Sequence, residues 1–90
     1  IAGTQIRLAR IALRWSVEEL SEVTKVSTST IKRIEAADGI PSSTHANLMA
    51  IRSALETAGI QFIGTPDKGP GIRLWKDGGP AAHDAAPGSA

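Results

Sequence analysis

Ninety residues make one small domain, and 41% hydrophobic with 21% charged side chains is ordinary globular composition. The lack of cysteine excludes disulfides, thiolate metal sites and thiol nucleophiles, and fits a reducing cytoplasm. No apolar run approaches the roughly 20 residues of a membrane span, and no signal-peptide pattern opens the chain at Ile1. The formal net charge is only +1, so any basic surface must be made by concentrating charge on one face.

Residues 4–15 are predicted to form the first helix. Thr4 can cap it, and Ile6, Ala9 and Leu13 share one face. Leu8, Ile11 and Trp15 make a second apolar stripe, which calls for cover by another element or a second subunit. Residues 16–23 read as a short second helix. Ser16-Val17-Glu18-Glu19 has the capping-box spacing, its carboxylates suit the positive end of the helix dipole, and Leu20 and Val23 are expected to point inward. Thr24-Lys25-Val26 is a three-residue turn. Ser27 then caps a third helix running to about Ala36. Ile31 and Ile34 share its inner face, and Thr28, Ser29, Lys32 and Arg33 share a short, polar, basic face.

Asp38-Gly39-Ile40-Pro41 reads as a loop, and Ser42 or Ser43 as the cap of a fourth helix through about Ala58. Leu48, Ile51 and Leu55 form its inner stripe, and Gly59 suits a left-handed stop. Gln61-Phe62-Ile63 and Ile72-Arg73-Leu74-Trp75 are predicted strands of a hairpin, with 64–71 expected to be an irregular loop. Two strands alone are marginal, so the hairpin must dock on the helices or pair with another chain. Residues 77–90 carry no large apolar side chain and are expected to be a disordered tail. The expected architecture is mainly α: four helices with a helix-turn-helix over 1–58, a docking or dimerising hairpin over 59–76, and the tail.

Catalytic and metal chemistry find no support. His45 and His83 are far apart, no serine lies in a Gly-x-Ser-x-Gly elbow, and no Gly-Lys-Ser/Thr follows Gly69-Pro70-Gly71. Neither an enzyme nor a cofactor is expected. Two helices joined by three residues cross steeply, so the second projects. Here the projecting helix begins at a serine cap and turns hydroxyls and cations outward, the chemistry that meets phosphates and base edges.

Ser16, Glu19, Leu20, Val26, Ser27, Thr30, Ile31, Arg33, Ile34 and Glu35 together resemble the helix-turn-helix of the Cro/C1 (XRE-type) phage-repressor family. Gln5-Ile6-Arg7 through Trp15-Ser16, Gly59–Ile63 and Gly69–Leu74 extend the similarity, towards a bacterial branch, over about residues 3–76. The resemblance implies a double-stranded-DNA-binding regulator of the cytoplasm and nucleoid, working as a homodimer. It implies that Ser27 meets a phosphate or an outer base. Thr28, Ser29, Lys32 and Arg33 would face the major groove, with Arg33 able to grip guanine. Thr30 would support the helix or reach a phosphate, and Lys25 offers a phosphate contact. Glu35 would pair with Arg10 as a scaffold salt bridge. Three positions depart from the family pattern: Val17 replaces a phosphate-holding Gln, Lys25 replaces a turn Gly, and Ser21 replaces a common Ala.

Leu8, Ile11, Ile72, Leu74 and Trp75 are candidates for a dimer or partner interface, with core as the other reading. Arg73 and Lys76 suit either phosphate contact or a charged strand edge. Val17 and the near-neutral charge also admit a second function. That is a protein-interaction module, an antiactivator or adaptor, that keeps the fold with weak or no DNA binding.

Overall fold

The computed structural model describes residues 1–37, 39–41 and 43–75. The first helix, α1 (Gly3–Ala12), begins one residue earlier than the sequence reading places it, and Thr4 does not cap it. The N-cap is Ala2, in extended backbone. Its N–H donates to Gln5 Oε1 at 2.8 Å, so the side chain inside the first turn does the capping. Gln5 is only 1% exposed, and its Nε2 donates to the Ile63 and Gly71 carbonyls at 2.9 and 3.0 Å. Gly3 permits a close approach here, because a Cβ would run into the carbonyl oxygens of Ile34 and Ala37.

The helix also ends sooner than residue 15. Arg14 N–H donates to the Ile11 carbonyl and Trp15 N–H to the Arg10 carbonyl, at 2.9 and 3.0 Å. That pair of bonds is a Schellman ending, with Arg14 at φ 59° in the left-handed position glycine usually fills. Trp15 leaves the helix and packs, half-buried, against the core.

The second helix, α2 (Val17–Thr24), starts as its spacing dictates. Ser16 Oγ accepts from Glu19 N–H at 3.0 Å, and Glu19 Oε1 accepts from Ser16 N–H at 3.2 Å. Leu20 is buried, but Val23 is 57% exposed rather than inward. Three residues on, Val23 lies ~60° round the helix from Leu20. There it borders a shallow groove floored by the small side chains Ala50 and Ala54. The third helix, α3 (Thr28–Glu35), buries Ile31 and Ile34. The fourth, α4 (His45–Thr57), is capped by Thr44, whose Oγ1 accepts from Asn47 N–H at 3.2 Å. The cap is therefore neither Ser43 nor Ser42, which is outside the described residues. Ile51 and Leu55 are its buried stripe.

The hairpin joins β1 (Ile60–Thr65) to β2 (Lys68–Leu74), antiparallel, with Ile60 opposite Leu74 and Phe62 opposite Ile72. The expected long loop is a correction: only Pro66 and Asp67 form the turn, and most of 64–71 is strand. A register shift between Ile63 and Thr65 absorbs the irregular residues. Gly64 and Gly69 supply left-handed backbone at φ 75° and 64°. Pro70 falls in the same irregular stretch, where its missing N–H is tolerated.

Ile60, Phe62 and Ile72 turn inward onto a core of Ile6, Ala9, Leu20, Val26, Ile31, Ile34, Ile51 and Leu55. Each fully buried Ile or Leu contributes ~1.5–3 kcal/mol relative to exposure. Gln61, Arg73 and Trp75 lie on the outer side. Trp75 Nε1 donates to Gln61 Oε1 at 2.8 Å, and the Arg73 guanidinium sits 5.7 Å from the Trp75 ring centre. Of the interface candidates, Ile72 packs on the core, while Leu8, Ile11 and Leu74 stay exposed. Lys76 and the expected tail at 77–90 lie outside the described residues.

Candidate nucleic-acid interface

The link between α2 and α3 sets the angle of the projecting helix. Val26 is buried and pins it to the core. Lys25 adopts φ 61°, ψ 21°, the left-handed conformation that costs a side-chain-bearing residue ~1–2 kcal/mol. Two hydroxyls brace the turn. Ser21 Oγ donates to the Val26 carbonyl at 2.6 Å. Thr24 Oγ1 donates to the Leu20 carbonyl at 2.7 Å and accepts from Val26 N–H at 3.2 Å. At ~0.5–1.5 kcal/mol each, these three bonds offset the strain at Lys25. Ser21 thus does what alanine at that position cannot.

Ser27 Oγ accepts from Thr30 N–H at 3.3 Å, donates to Thr30 Oγ1 at 2.8 Å, and lies 3.3 Å from Ser29 Oγ. The start of α3 is therefore a small cluster of linked hydroxyls. Ser27, Ser29, Lys32 and Arg33 are exposed, and Thr28 and Thr30 are half-buried. Thr30 is bonded to the cap through both its amide and its hydroxyl. Lys25 is exposed beside this cluster.

The basic face is divided. Neighbouring helix residues point ~100° apart. Lys32 lines a depression with Arg7, Arg10, Val17, Glu35 and Ala36. Arg33 lines another, with Ser43, Thr44 and Asn47 at the start of α4. Arg7, Thr44 and Asn47 are neighbours that the sequence reading did not place beside α3. A signal for Arg7 was present: it stands one turn before Arg10 on α1, as Lys32 stands one turn before Glu35 on α3.

Arg10 and Glu35 meet as the resemblance implies. Arg10 Nε donates to Glu35 Oε2 at 2.7 Å, and Nη2 to Oε1 at 3.0 Å. Nη1 donates to the Trp15 carbonyl at 2.9 Å, so one guanidinium ties α3 to the end of α1. The side chains are 15% and 7% exposed. The hydrogen bond that Arg10 donates to Glu35 raises the Arg10 pKa; desolvation opposes it, and the charges of Glu35 and Glu18 add to it. Such two-pronged, charge-assisted bonding holds a fixed geometry, as scaffold work requires.

Among the described residues, no cluster of acidic and histidine side chains could hold a metal ion, and no helix is long and apolar enough to cross a membrane. Nothing matches the chain among curated proteins or among solved structures. A family model for the helix-turn-helix, of the Cro/C1 (XRE) type, matches residues 6–52, just over half of the chain. That span runs from the core face of α1 through the braced turn and α3 into α4. The chain belongs to the Cro/C1 (XRE-type) helix-turn-helix family, whose domain is a DNA-binding regulatory one and not an enzyme.

Proposed function

We propose that this chain is a sequence-specific transcriptional regulator of double-stranded DNA that acts as a homodimer and lays α3 in the major groove. The observation that carries this reading is Arg33, exposed on the serine-capped projecting helix and in no ion pair among the described residues. Arg33 reads guanine, at ~1–3 kcal/mol of discrimination. Thr28 and Ser29 read bases more permissively, and Lys32 adds charge to the same approach. Ser27, Thr30 and Lys25 position the helix start against the backbone. The homodimer forms through Leu8, Ile11 and Leu74, flanked by Ile72 and Trp75. It sets two α3 helices about one DNA turn, ~34 Å, apart.

A second reading rests on the same exposed apolar side chains and on Val17, which gives α2 no side-chain phosphate donor. In it the surface of α1 and the hairpin takes a protein partner and DNA binding is weak. Titration of the protein and of Arg33→Ala on genomic fragments at two salt concentrations decides between them. Selection of a few sites with salt-sensitive affinity, lost in Arg33→Ala, supports the regulator. No binding above background at low salt refutes it and favours the adaptor.

A further inference from the structure

We propose that Arg7 and Lys32 form a two-cation seat for a single phosphodiester of the DNA backbone, in the depression between α1 and α3. This rests on the DNA-binding reading and assigns one phosphate contact within it. The depression is about 250 Å³. Its inner wall is the Arg10–Glu35 pair, and Arg10 has little left to offer an anion. Two of its nitrogens are spent on Glu35 and the third on the Trp15 carbonyl.

Arg7 and Lys32 stand differently. Both are exposed on the rim of the depression, and neither makes an ion pair or a side-chain hydrogen bond among the described residues. Two cations facing one small depression repel each other until an anion sits between them. The lining holds three cations, Arg7, Arg10 and Lys32, against one carboxylate, Glu35, which Arg10 already engages. Val17 contributes an apolar wall without a side-chain donor, so the side-chain grip on the anion falls to the two cations. A backbone phosphate fits this chemistry: one charge, oxygens that accept the fork of Arg7, and a flank open to the ammonium of Lys32. In this geometry Lys32 positions α3 and does not read sequence. Base readout falls to Thr28, Ser29 and Arg33.

The test is a salt series of binding to a selected duplex and to a random duplex, for wild type, Arg7→Gln, Lys32→Gln and the double variant. Arg52→Gln, at an exposed α4 residue paired with Glu56, is the control. Each single variant should weaken both duplexes alike and reduce the salt slope by up to about one unit. Because both cations hold one phosphate, the double variant should lose about 0.9 in slope, less than the sum of the two single losses. An additive loss means two separate contacts and overturns the seat, as does an unchanged slope in both single variants. Side-chain NMR signals of Arg7 and Lys32 form the second arm. Movement on adding duplex supports the seat. Movement with inorganic phosphate and none with duplex overturns it in favour of a free-anion site. If the wild type binds neither duplex, the DNA reading fails with it; if the wild type binds and only the slopes disagree, the seat alone fails. Thermal melts confirm that these surface variants stay folded.

Discussion

Replacing Gln5 with alanine removes three hydrogen bonds at once. The Ala2 N–H loses its acceptor, and the Ile63 and Gly71 carbonyls lose their shared donor. At ~0.5–1.5 kcal/mol per bond, the direct loss is roughly 1.5–4.5 kcal/mol. The groups left behind sit where water reaches poorly, since Gln5 is 1% exposed, which argues for the upper half of that range. A domain of this size has only ~5–15 kcal/mol in all, so a loss near 3 kcal/mol is large. Urea unfolding followed by far-ultraviolet circular dichroism and by tryptophan fluorescence measures it. In a Trp15→Phe background, where Trp75 alone fluoresces, the two probes should separate in the variant, because Trp75 is bonded to the hairpin and the helices carry the dichroism. Gln5→Glu should be at least as harmful, since it sets a carboxylate oxygen against two carbonyls. A loss below about 1 kcal/mol with coincident transitions would falsify the claim that Gln5 joins α1 to the hairpin.

Glu35→Ala strands the Arg10 guanidinium and should destabilise the domain by about 2–3 kcal/mol. Arg10→Met with Glu35→Leu should restore part of that, and equal losses in single and double variants would count against a scaffold role. Lys25→Gly relieves the left-handed strain and should stabilise by ~1 kcal/mol. An unchanged or lower melting temperature would show that the turn is not strained. Leu8→Lys with Ile11→Glu should turn the proposed dimer into a folded monomer by light scattering with chromatography. A pair of substitutions that leaves the molar mass unchanged removes these residues from the interface.

Legibility in the sequence followed the range of the interactions. Ser16 and Glu19 find each other three residues apart, and so do Ser27 and Thr30, so both helix starts could be read locally. The start of α1 could not. Its cap is Gln5, held by carbonyls 58 and 66 residues away, and a polar side chain near Thr4 gives no hint of that. The hairpin is legible in the sequence, but the length of its strands is not, for a related reason. Gly64, Gly69 and Pro70 carry the composition of a loop, and only pairing with register shows that a bulge accommodates them. On α3 the outward residues were legible from periodicity. Which neighbours they face was not, because α1 supplies Arg7 on one side and the α4 start supplies Thr44 and Asn47 on the other.

The braced turn between α2 and α3 carries a consequence for the route by which such a sequence can change. With glycine at position 25, serine or alanine at position 21 would be nearly interchangeable. With Lys25 in the left-handed position, the Ser21 and Thr24 hydroxyls hold the carbonyls and amide that fix the turn. Ser21→Ala then becomes a harmful step, although the same exchange is harmless in a glycine background. The lysine raises the cost of losing either hydroxyl, so the order of change matters: glycine at residue 25 first makes loss of the hydroxyl at residue 21 cheap, whereas the opposite order passes through a weakened turn.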